Sequence, residues 1–183
     1  MWQKRLMKLV FTKSGGSNPA KYDRLDIVTA AGPQPPIDCP KQGIIPHDMV
    51  HFAVEAEVAT LGFLGGIAAG GDSGFGAGAD NPHHRAVERL VETVQAEAWS
   101  GAPVPDEEFI ALYEITCEAR GDAPLALDAA TLAAIRARLA DLTARWQAVP
   151  AGGSLSLTFS ASTGAQARAT RDQPASVLAS APL

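Results

Sequence analysis

Ser154-Leu155-Ser156-Leu157-Thr158-Phe159-Ser160 alternates hydroxyl and apolar side chains without a break. A period of two puts Leu155, Leu157 and Phe159 on one face of an extended chain and the hydroxyls on the other. The stretch reads as a half-buried strand, and its nearest counterparts lie at the far end of the chain. Leu6 to Thr12 is short and apolar, and Arg24 to Ala30 carries Leu25, Ile27 and Val28. With Lys13-Ser-Gly-Gly-Ser-Asn-Pro19 as a polar turn region, these two form a hairpin with a longer loop than the tight two-residue kind.

Between hairpin and last strand the period changes to helical. Asn81-Pro82 supplies a cap and a first-turn proline. The helix that follows carries Ala86, Val87, Leu90, Val91, Val94 and Ala98 on one stripe, with Arg85, Glu88, Arg89 and Glu92 opposite. A further helix from Asp106 packs Phe109, Ile110, Tyr113 and Cys117 and meets Gly121 where a C-terminal cap belongs. Asp128 caps a last helix whose Leu132, Ile135, Leu139, Leu142 and Trp146 make a sustained stripe. Strand, strand, about four helices, strand is an α+β pattern. The simplest arrangement is a small antiparallel or mixed sheet, the N-terminal hairpin plus the C-terminal strand, packed by the helices on one face.

A chain of 183 residues fits one domain, assigned here to 1–161. Over 162–183 Ala, Ser, Thr, Gln and Pro prevail, too few apolar side chains to offset ordering entropy, so this reads as a disordered tail. A net charge of −5 argues against a nucleic-acid binder that neutralises phosphates. Lys8 interrupts the only apolar run near the start, and no segment approaches the ~20 apolar residues of a membrane span. A cytoplasmic location is the default, with no nucleic-acid or membrane partner and a protein partner left open. In that reducing setting Cys39 and Cys117 are free thiols, Cys117 a plain core residue on its apolar stripe. From Gly62 to Gly78 glycine and alanine dominate and predict a loop. No Gly-Lys-Ser/Thr ends that run, and no clear strand precedes it, so a phosphate cradle has no support. No Gly-x-Ser-x-Gly elbow is present either.

Chemistry gathers in one place, Cys39-Pro-Lys-Gln-Gly-Ile-Ile-Pro-His-Asp-Met-Val-His-Phe-Ala-Val-Glu55. As a helix over 46–61 opening at Pro46, it places His47, Asp48, His51 and Glu55 on roughly one quarter of the circumference. The remaining arc is apolar, so the helix is buried and its polar stripe faces a cleft or another polar group. His47 and His51, at i and i+4, lie close enough for one metal ion to take both. His47 and Glu55 are about 12 Å apart along the axis, too far for one ion with bonds near 2 Å. The pairs available are therefore His47 with His51, or His51 with Glu55, each completed from elsewhere. Cys39 suits zinc as a thiolate just upstream, and His83, His84 and Glu97 are further candidates.

His47-Asp48-Met49-Val50-His51 resembles the zincin signature His-Glu-x-x-His, with aspartate in the glutamate position. The resemblance implies His47 and His51 as zinc ligands and Asp48 as the base that activates a bound water. It covers five residues, and aspartate is one methylene shorter than the family's glutamate. The longer run Cys39 to His51 is similar to a segment of uncharacterised small bacterial proteins, which implies a class and no mechanism. The reading is a protein with a zinc site on this helix, supporting metal-assisted hydrolysis with Asp48 or Glu55 as base. The alternative is a non-enzymatic interaction or scaffold protein in which the helix is structural. There Asp48 answers the helix dipole and His51 simply pairs with Glu55. Convergence of His47, His51 and a third donor favours the first, and a dry His51–Glu55 pair the second.

Overall fold

Met7, Leu9 and Phe11 leave the same side of strand β1, Leu6–Thr12, and all three are buried. In this computed structural model, which describes residues 6–15, 21–58, 62–71, 73 and 80–160, β1 is the inner strand of the sheet. It pairs antiparallel with β2, Tyr22–Thr29, on one side. On its other side it pairs antiparallel with the last strand, Ser154–Ser160. Leu9 thus sits between Ile27 and Leu157, and Phe11 between Leu25 and Leu155, so the apolar rows of three strands fuse into one face. The α+β expectation and its hairpin-plus-C-terminal-strand core hold. The expected tail, 162–183, lies outside the described residues.

The sheet has more than the three expected strands. Gly32-Pro33-Gln34-Pro35-Pro36 reads as a strand breaker, yet both sides of the break pair with β2. Strand β3, Gly32–Pro33, meets Val28 and Thr29, and β4, Ile37–Pro40, meets Tyr22 to Leu25, antiparallel in both cases. Proline is tolerated because this is an edge, where the missing N–H faces away from the ladder. The consequence for the site is that β4 carries Cys39 into the core.

Five helices follow, and the strand Ser154–Ser160 is β5. Helix α1, His47–Glu55, lies against the sheet, with its Phe52 ring edge-on to Phe159 of β5. Helix α2, Phe63–Ala68, falls where the glycine content predicts only loop. Helix α3, Pro82–Ser100, opens as its sequence predicts, with Asn81 Oδ1 accepting the His83 N–H at 2.9 Å. Helix α4, Asp106–Ala119, ends at Gly121, whose φ of +69° lets the Asp122 N–H turn back to the Cys117 carbonyl. Helix α5, Ala129–Ala148, is capped by Asp128 Oδ1 on the Thr131 N–H. Arg136 of α5 ties α3 to α4, bonding Glu97 at 2.6 Å and Asp106 at 2.5 Å. Among the described residues no helix is long and apolar enough to cross a membrane.

Candidate metal centre between α1 and α3

The polar stripe of α1 does face another polar group. It looks across to α3, and the two helices run antiparallel, since His47 meets Gln95 whereas the Glu55 end lies over Val87. The helix stops at Glu55, short of the 46–61 span that its apolar pattern suggests. The reason is in the Glu55 side chain. Its carboxylate accepts the backbone N–H of Gly62 at 3.2 Å, Leu64 at 3.0 Å and Gly65 at 2.8 Å. These are the orphan donors of a helix N-terminus, and α2 has no side-chain cap of its own. A buried carboxylate on one helix therefore organises the next, which glycine-rich sequence alone does not sustain.

Glycine permits the approach. A Cβ on Gly62 would stand 2.6 Å from both Glu55 Cδ and Val87 Cγ1, and one on Gly66 would stand 2.9 Å from His84 Cε1. Gly62→Ala should cost about 1–3 kcal/mol in urea unfolding, the range for forcing a methyl into a packed interior. An unchanged urea midpoint would refute this seating of α2.

Glu55 also holds His51. His51 Nδ1 donates to Glu55 Oε1 at 3.0 Å, and both side chains are buried. That leaves Nε2 of His51 facing Oε2 of Glu88 on α3 at 3.1 Å. His47 is held the same way one turn earlier: its Nδ1 donates to Oε1 of Gln95 at 2.8 Å, and its Nε2 faces Oε1 of Glu88 at 3.5 Å. Gln95 is fixed in turn by donating its amide to Gln42. The ligand atoms of His47, His51 and Glu88 all lie within 4.8 Å of one another, so this group could hold a metal ion. The His47 and Glu88 side chains are 30% and 34% exposed, so the group opens to solvent on their side and is sealed on the His51–Glu55 side.

Electrostatics make the cluster self-consistent. Burial works to lower the His51 pKa, but hydrogen bonds and charge from Glu55 and Glu88 outweigh it and raise the imidazole to about 10. Burial likewise works to raise Glu88, but His47 and His51 hold its carboxyl well below the usual carboxylate range. A bound cation would take the place of the Nε2 protons, because metal ligation requires the bare nitrogen.

The sequence-derived candidates are distributed as follows. His47 and His51 come together with Glu88. Glu55 sits behind His51 at its far nitrogen. Asp48 and Cys39 form a separate pair, with Cys39 Sγ 3.4 Å from Asp48 Oδ2, and neither belongs to the three-residue group. Burial, then the neighbouring Asp48 charge, pushes the Cys39 thiol upward, away from the thiolate that zinc prefers. Glu97 is engaged by Arg136, and its Oε1 also accepts the Val104 N–H. Cys117 is buried as expected.

Glu88 and Gln95 are the residues that pattern reading misses. Glu88 counts there only as part of the solvated face of α3. Yet the two are seven apart, about 20° on the helical wheel, and border the apolar stripe. Comparison with known proteins returned no match: no family model, no curated protein and no solved structure aligns significantly with this chain.

Proposed function

We propose that this protein binds one divalent metal ion, zinc by its donor set, between α1 and α3, and that the ion supports hydrolytic chemistry. One observation carries the reading. The Nε2 atoms of His47 and His51 face the two oxygens of a single carboxylate, while each Nδ1 is occupied by an acceptor. Two imidazoles with fixed tautomers plus one carboxylate form a His2Glu set, the composition of many catalytic zinc sites. Three protein ligands leave a fourth position for water, whose pKa falls to about 7 on zinc. Glu55 then takes the role of an orienting carboxylate behind a ligand histidine. Its oxygens already accept four hydrogen bonds, so it is poorly disposed to act as a base. Asp48 turns to Cys39 and supports β4 rather than the ion. A cytoplasmic setting suits the two free thiols.

The buried His51–Glu55 pair favours a second reading, a scaffold or interaction protein in which the cluster is a metal-free lock between two helices. Elemental mass spectrometry on untagged protein separates the two. Close to one zinc per chain, lost in His51→Ala, supports the metal centre. Zinc-free protein that stays so after incubation with zinc leaves only the lock.

A further inference from the structure

One imidazole near this centre is unaccounted for. His84 lies one turn before Glu88 on α3, about 40° away on the wheel, so both project from the same side of that helix. A second route leads to the same place through α2. Phe63 sets its ring 5.6 Å from the His51 ring, and Gly66, one turn later on the same face, sits against the His84 ring. One face of α2 thus covers His51, Glu55 and His84 together. Because α1 and α3 are antiparallel, His84 flanks the cluster at the Glu55 end, away from the Gln95 clasp on His47.

Nδ1 of His84 is sealed from solvent and has no hydrogen-bond partner among the described residues. A buried imidazole nitrogen left unmatched costs about 1–3 kcal/mol and calls for an explanation such as a bound water or ion. His84 is not one of the three converging ligands, so its distance suits the layer just outside them.

We propose that His84 is the proton-accepting residue of the centre, paired with the water at the metal's fourth position. The proposal rests on the metal reading above. In the step it would perform, the metal-bound water gives a proton to His84. Hydroxide stays on the metal and an imidazolium is left beside it. The same imidazolium can then return the proton to a departing group, so no further reactant is consumed. This gives the centre the base that Asp48 and Glu55, both otherwise engaged, do not supply.

Cobalt(II) in place of zinc makes the test visible, since its absorption reports both binding and ionisation of the bound water. The full chain should bind one cobalt, and its spectrum should change with pH around a single midpoint. His84→Ala should keep cobalt affinity within about threefold, because no ligand is removed. The midpoint should rise by about one pH unit, the equivalent of one ordinary hydrogen bond. His84→Gln, which keeps bulk and an accepting oxygen, should recover most of that shift, and His83→Ala should leave the midpoint unmoved. Cobalt bound by His84→Ala with an unshifted midpoint overturns the role of His84 and leaves the metal centre standing. Loss of cobalt from both His84 variants makes His84 a ligand or a folding residue and overturns it too. Failure of the wild-type chain to bind cobalt overturns both.

Discussion

Glu55→Ala is expected to be the most damaging single substitution in this chain. The side chain is almost wholly buried and accepts from His51 and from three backbone N–H groups of α2. Its removal leaves those donors without an acceptor and His51 without the partner that fixes its tautomer. Deleting one member of a buried charged pair costs about 3–5 kcal/mol, a large part of the ~5–15 kcal/mol that holds a domain folded. Urea unfolding followed by circular dichroism should show the loss, and added zinc should not restore it. Glu55→Gln keeps the shape and an accepting oxygen and should lose less. A loss under 1 kcal/mol in Glu55→Ala would mean that α2 seats itself without this carboxylate.

Zinc should raise the thermal midpoint of the wild-type protein by about 8–16 °C when present at a thousandfold over its dissociation constant. The estimate takes about 4 kcal/mol of linkage stabilisation and 2–4 °C per kcal/mol for a domain of this size. Glu88→Gln removes the only anionic ligand and the charge that balances His47 and His51, so its midpoint should stay flat on titration. Magnesium is the control: it prefers an octahedron of oxygens and should shift neither protein. Equal shifts in wild type and Glu88→Gln would place zinc elsewhere on the surface.

What could be read from the sequence follows the range of the interactions involved. β5, the capped starts of α3 and α5 and the stop at Gly121 are local patterns, settled by a few neighbours. The His47–His51 spacing is equally local, which is why two ligands were readable. Glu88 is 37 positions beyond His51, and only the antiparallel seating of α3 on α1 makes it the third donor. Helix α2 escapes pattern reading for a related reason. Phe63-Leu-Gly-Gly-Ile-Ala68 lacks both cap and propensity, and its start is completed by a carboxylate seven or more positions upstream. β3 and β4 are hidden by their prolines, which only an edge position accommodates.

The placement of β1 has a consequence for how the chain reaches this structure. One neighbour of β1 is the next strand, but the other is β5, with Leu9 facing Leu157 and Thr12 facing Ser154. During synthesis, everything through α5 emerges while one flank of the innermost strand is still bare. The hairpin and helices can form early, yet the sheet cannot close until the ribosome has released residue 160. Closing so long a loop late makes folding slow relative to helical proteins of similar size. Until then the exposed flank of β1 is a template for stray strands, so this protein has a window of aggregation risk on the ribosome that its finished form does not show.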